Sequence, residues 1–251
     1  MKKNRQTALL FLLFIFLFTS CAEDIDITVP RNLQEYMNLH TSRTLDGVIA
    51  YAASDKTLTS TSHIFYYPIE EATDVRYYET DSINTIDPNN FSLYRRKILP
   101  KEDVFGGYLK KFIRLNNKKE KWCLITYLSE GKFHKSKPIR FKNFTKPTEW
   151  KDTVRIEDLH TLNPKFSWDD GTIAENDTYF QVVSDVDDVF LSGTYTTTKW
   201  FQYYKLDNVV SNITTKTPPT LIFHDVYHFT LMGISNDNWI NLMLEKPFIV
   251  D

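Results

Sequence analysis

Trp122-Cys-Leu-Ile-Thr-Tyr-Leu128 is the stretch on which the fold assignment turns. Successive side chains of a strand point to opposite faces. Trp122, Leu124, Thr126 and Leu128 therefore share one face, and Cys123, Ile125 and Tyr127 share the other. The first set is expected to face the core. Around this segment, runs of four to eight residues rich in Val, Ile, Thr, Phe and Tyr alternate with clusters of Asn, Asp, Pro, Gly or Lys, the pattern of an all-β sandwich or barrel.

Working outward, the first half predicts strands at Gly47–Ala53, His63–Tyr67, Val75–Thr80, Phe91–Ile98, Tyr108–Leu115, Trp122–Leu128 and Lys135–Lys142. Seven strands in about 100 residues suit an immunoglobulin-like sandwich. Phe144-Thr-Lys-Pro-Thr-Glu-Trp150 has a proline and no periodicity, and reads as a linker. The second half repeats the texture at Thr153–Leu159, Lys165–Asp169, Thr178–Ser184, Phe190–Thr196, between Phe201 and Thr214, at Val226–Met232 and at Trp239–Glu245. One continuous β domain is the alternative to two. Upstream, Leu33, Tyr36 and Met37 have helical spacing.

Several segments resemble fibronectin type III domains. Ile64-Phe-Tyr-Tyr-Pro68 followed by Asp74-Val-Arg-Tyr-Tyr-Glu79 is similar to that family's B and C strands. Trp168 stands where the family carries a core Trp. Trp122-x-Leu124 and Tyr227-x-Phe229-x-Leu231 fit its F strand, and Ser136-Lys-Pro-Ile139-Arg-Phe141 its G strand. The second half lacks the Ser-x-Pro element. The resemblance implies two tandem β-sandwiches and a scaffold or binding role; a fold by itself fixes no chemistry.

The first residues carry an address. Lys2, Lys3 and Arg5 precede the apolar run Ala8–Phe18, followed by Thr19, Ser20 and Cys21. Eleven apolar residues are too few to span a bilayer, which takes about 20, and suit a secretory signal core. Phe18-Thr-Ser-Cys21 resembles a bacterial lipobox, with Phe18 where Leu is usual, which makes Cys21 the lipid acceptor. Glu23-Asp-Ile-Asp26 resembles the surface-export signal of Bacteroidota lipoproteins. The predicted organisation is a signal peptide over 1–20, a lipidated tether over 21–42, and sandwiches over 43–146 and 147–251. The expected location is the outer membrane, lipid-anchored and surface-exposed.

Removing residues 1–20 takes the formal net charge from −2 to −5, and with Cys21 lipidated Cys123 is the one free thiol. An acidic chain has no electrostatic footprint for nucleic acid. The seven glycines form neither G-x-G-x-x-G nor a P-loop, and there is no G-x-S-x-G elbow. His224-Asp-Val-Tyr-His228 would bind zinc only on a helix; on a strand its imidazoles lie about 13 Å apart. Asp185, Asp187 and Asp188 lack the spacing of a calcium loop and read as a turn, as does Lys118-Lys-Glu-Lys121. The Asn-x-Thr triplets at Asn143, Asn176 and Asn212 are glycosylation acceptors by pattern alone. No cofactor, metal or catalytic residue is nominated.

Adjacent aromatics, Tyr66-Tyr67 and Tyr77-Tyr78, are expected to send one member of each pair out of the core. Trp200, Tyr203 and Tyr204 are the candidate ligand or partner aromatics. The expected function is a non-catalytic envelope module that binds a surface protein or a glycan. One alternative is a glycan-binding lipoprotein of a polysaccharide-utilisation system, similar to the surface starch-binding family. Another is a hydrolase with dispersed catalytic residues. If Cys21 is the lipid acceptor, Cys21→Ser should move the protein from the membrane to the soluble fraction and abolish fatty-acid labelling.

Overall fold

The computed structural model describes residues 29–84 and 87–251. The signal segment, Cys21 and the acidic patch lie outside the described residues. Arg31–Asp251 forms one compact unit. It opens with a short helix, α1 (Leu33–Asn38), whose N-cap Asn32 accepts the amide of Glu35 while Glu35 reaches back to the amide of Arg31. This is a variant of the capping box in which the carboxylate reaches the amide one residue before the cap.

The first half builds two facing sheets from β1 (Leu45–Val48), β2 (Ala50–Ser54), β3 (Ser62–Tyr66), β4 (Thr73–Glu79), β5 (Arg95–Lys97), β6 (Lys101–Val104), β7 (Leu109–Arg114), β8 (Trp122–Ser129), β9 (Lys132–Ser136) and β10 (Ile139–Arg140). One sheet has the order β1-β9-β8-β4-β5, with β10 also on β8, and the other β2-β3-β7-β6. The second half adds β11 (Glu149–Lys151), β12 (Arg155–Glu157), β13 (Lys165–Ser167), β14 (Thr178–Asp185), β15 (Phe190–Thr196), β16 (Trp200–Gln202), β17 (Val209–Asn212), β18 (Val226–Ile234) and β19 (Ile240–Ile249). Its sheets run β11-β19-β18-β14-β15-β17 and β12-β13-β16. In each half the leading strand runs parallel beside a late one, β1 on β9 and β11 on β19. The all-β, sandwich-based expectation is met. The linker expected over 144–150 ends in strand β11.

The faces of β8 are the reverse of the sequence reading. Cys123, Ile125 and Tyr127 enter the core between the first two sheets, with Ile64, Tyr66, Tyr77 and Phe112. Trp122, Leu124 and Leu128 face outward, where α1 covers them through Leu33 and Tyr36. Both faces of this sheet are therefore buried, and alternation alone cannot tell which is the sandwich core. The same cause overturns the expectation for Tyr77-Tyr78. Neither leaves the interior: Tyr77 joins the inter-sheet core and Tyr78 packs beneath the helix.

The two sandwiches meet face to face. Ala53, Phe65 and Leu109, on the outer face of β2-β3-β7-β6, share one core with Phe180, Val182, Tyr195, Met232 and Met243 of the large second sheet. That sheet also buries its opposite face against β12-β13-β16 through Tyr179, Val183, Phe229, Leu231 and Leu244. Each fully buried large apolar side chain contributes about 1.5–3 kcal/mol. The joint alone is thus worth on the order of 10 kcal/mol, comparable with the whole stability of a domain. Polar contacts reinforce it. The Ser54 amide donates to Thr148 Oγ1 and the Thr148 amide to Ser54 Oγ, both at 2.8 Å. Tyr108 stacks on Phe190 with ring centroids 3.6 Å apart.

Trp239 crosses the joint. It belongs to the β18–β19 turn, yet its fully buried ring packs in the core of the first sandwich, and its Nε1 donates to the Lys146 carbonyl at 2.8 Å. Trp239→Ala should destabilise the protein by about 3–5 kcal/mol. Amide exchange should show lost protection at Ile125 and Leu231 together, in one cooperative unfolding transition.

Candidate functional site

Where the facing sheets diverge, the joint opens into a cleft of about 700 Å³. Strand register assembles one wall. Met232, Thr230 and His228 alternate along β18 and pair with Met243, Glu245 and Pro247 of β19, while Trp150 of β11 pairs with Met243. Met232 to His228 is four strand residues, about 13 Å. The opposite wall carries His63 and Phe65 of β3 and Lys111 of β7, which pairs with Phe65. Phe65, Phe105, Met232 and Met243 are buried and form an apolar floor. The β6–β7 turn closes one side, where a side chain on Gly106 would meet the Val189 backbone at 3.4 Å. Gly106 also has φ +64°, a region that favours glycine.

Most charged groups of the rim are internally compensated. His63 Nε2 is 2.8 Å from Asp55 Oδ2, and His228 Nδ1 is 2.8 Å from Asp188 Oδ1. Lys111 pairs with Glu102 at 3.0 Å and Glu245 with Lys56 at 3.9 Å. Trp150 is half-buried; its Nε1 donates to the Ser54 carbonyl at 3.1 Å, and Lys56 Nζ lies 5.7 Å over its ring. An apolar floor, one oriented indole and a few fixed polar groups make a site of the ordinary ligand-binding kind.

Asp55 is built into its loop. Its Oδ1 accepts the amides of Thr57 and Leu58 and the Thr57 hydroxyl. Burial raises its pKa, but these bonds and the one to His63 outweigh burial and hold the carboxyl well below the usual range. His63 Nδ1 is buried without a protein partner. Asp185 spends its carboxylate on the amides of Asp187 and Val189, which shapes the turn that presents Asp188 to His228.

The residues singled out from sequence lie elsewhere. Tyr203 is fully buried in the second sandwich, and its hydroxyl donates to the Pro219 carbonyl at 2.8 Å. Trp200 is half-buried with Lys165 Nζ 5.5 Å over its ring, and Tyr204 is 40% exposed in a turn. None of the three lines the cleft. Trp150 was missed because it follows Pro147 in the apparent linker; a lone Trp there was its one signal. His224 sits in the turn before β18 and His228 on the strand. Asn143 is buried, donating to the Thr59 and Thr61 carbonyls. Asn176 is bonded to Asp170, and Asn212 is exposed.

No family model matches the chain, and no curated protein sequence matches it. Among solved structures it is similar to the FN1–FN3 domains of chicken CNTN1, at 9% identity and a TM-score of 0.30, covering 83% of this chain and 68% of that one. At that score the similarity carries no argument. The sandwich assignment rests on the strand orders given above.

A carboxyl whose folded pKa lies below its unfolded value, near 3.8 here, stabilises the fold above that value and loses the contribution as pH falls. Asp55→Asn should therefore lower stability at pH 7 by about 1–3 kcal/mol. Denaturant titrations of variant and parent should converge as pH falls below about 4.

Proposed function

We propose that this chain is a non-catalytic binding module of the cell envelope, held at the outer membrane by a lipid on Cys21, and that its ligand occupies the cleft between the facing sheets. The observation that carries this reading is the cleft itself. Most of the joint is closed by apolar packing, yet here the sheets part over buried Phe65, Met232 and Met243. Burying apolar floor against a ligand is the driving force, and the fixed rim groups supply orientation.

The rim favours a glycan as ligand. Most charged side chains that line the cleft already have an opposite partner; among the described residues only Asp187 and Lys246 of the lining have none. Such a site gains little from a strongly charged ligand, but offers donors and acceptors to hydroxyl groups. Trp150 supplies a flat apolar surface for the C–H face of a sugar ring, and Lys56, with a side chain 64% exposed, is free to swing off that ring. A wall about 13 Å long accommodates a short oligosaccharide.

Screening the purified protein on a glycan array, followed by calorimetric titration, tests this. Trp150→Ala and Glu245→Gln should each weaken binding about tenfold or more, while Trp200→Ala should leave it unchanged. Binding to no glycan, together with a co-purified protein lost in both cleft variants, would assign the cleft to a protein partner. Cleavage of the bound glycan would overturn the non-catalytic reading.

A further inference from the structure

The first sandwich carries a cationic margin that the cleft does not use. Edge strand β5 is Arg95-Arg96-Lys97, all exposed, and it pairs only with β4. Arg95 lies opposite Glu79, and Glu79 opposite Cys123 of β8, so the loop leading into β8, with Lys118 and Lys119, leaves from the same end of the sheet. The chain enters the body there too. The Leu33 amide donates to the Tyr94 carbonyl at 3.0 Å, which sets exposed Arg31 close to Arg95. Among the described residues, none of Arg31, Arg95, Arg96, Lys97, Lys118 and Lys119 is paired with a carboxylate. Most other cations of the body are, on a protein whose overall charge is negative.

The nearest interior carboxylate adds nothing to the balance. Glu79 is buried and already held by Arg114 and Lys121 at 2.8 Å each. Of the acids nearest along the chain, Glu35 accepts from the Arg31 amide and Asn32, Glu102 pairs with Lys111, Glu120 is held by Thr145 and Arg140, and Asp81 and Asp87 are exposed. Apolar side chains stand among the cations: Ile98 is 91% exposed, Leu115 51% and Leu93 41%. Unpaired cations interspersed with exposed aliphatic groups suit a surface that is anionic outside and apolar just beneath.

We infer that this margin is a docking surface for anionic lipid headgroups, seating the body on the membrane to which its N-terminus is tied. The tether decides the occupant. Nine residues lie between Cys21 and Arg31, and the ten steps they span reach at most about 35 Å, so a lipid on Cys21 keeps the margin within one body length of the bilayer. Only the orientation rests on Cys21; the headgroup affinity belongs to the folded body. Among the described residues, every buried core side chain lies between Leu33 and Val250, so the chain from residue 22 onward retains all of them.

The unlipidated chain from residue 22 onward should co-sediment with vesicles of phosphatidylcholine and phosphatidylglycerol in equal parts at low salt. It should bind phosphatidylcholine vesicles weakly and leave the mixed vesicles at high salt. Reversing both Arg95 and Arg96 to Glu should weaken binding about tenfold or more, with an unchanged melting temperature, whereas Lys205→Glu with Lys216→Glu should change little. Equal binding to the two vesicle types, or undiminished binding of the Arg95/Arg96 variant, would overturn the inference. So would a variant that binds lipid normally but self-associates, which would mark the charges as guards of an open sheet edge. Because no acyl chain is present, a failure here is distinct from a failure of Cys21 lipidation.

Discussion

Everything in this molecule depends on one packing constraint: the outer face of β2-β3-β7-β6 is apolar and must be covered by the large sheet of the second half. A sheet normally buries one face and wets the other. Here three of the four sheets bury both, because α1 covers the outer face of the first sheet and the joint covers the facing faces of the middle two. The protein is thus a stack in which the halves lend each other core. Trp239 makes this literal, since a residue from the second half completes the first sandwich. The cleft is a consequence of the same stacking. Two twisted sheets stay in contact over only part of their faces, and where they part, the residues that continue the joint become its floor.

Much of the fold could be read from sequence, for a clear reason. β3, β8, β14 and β18 are runs rich in β-branched and aromatic residues bounded by turn formers, and they, with β7, lie within the sheets rather than at their margins. The strands that escaped are edges. β6 is Lys-Glu-Asp-Val and β11 is Glu-Trp-Lys, and their pairing is decided by neighbours far along the chain. α1 was visible because three apolar residues at helical spacing are hard to place otherwise. What it covers was not visible, and this is why the two faces of β8 were read in reverse and Tyr77-Tyr78 were expected to split.

The candidate site was almost illegible for the same reason. A cleft between stacked sheets draws its residues from six strands and two turns, none of which announces chemistry. His63 reads as a strand residue, and its partner Asp55 as a turn former. Asp188 and His228 were each noticed, but in separate motifs with separate rejected metals, and only the fold brings them within 2.8 Å. Adjacent aromatics proved poor guides, because in a stack a strand can bury both neighbours. Trp150 stands alone, and its exposure is set by the joint beside it.

The two surfaces given roles above belong to different sheets of one sandwich. Headgroup docking would use the edge of the first sheet, beside α1. Ligand binding would use the far face of the second sheet, beyond a core about 10 Å thick. The sheets between them are fixed by fully buried packing, with Tyr66 stacked on Phe112 and Tyr77 tilted against it in that core, so neither surface must deform for the other to be filled. The joint then has a purpose beyond stability: two sandwiches strung end to end could swing on their linker, whereas two sandwiches sharing a core hold the cleft at a fixed height and angle above whatever surface the first one rests on.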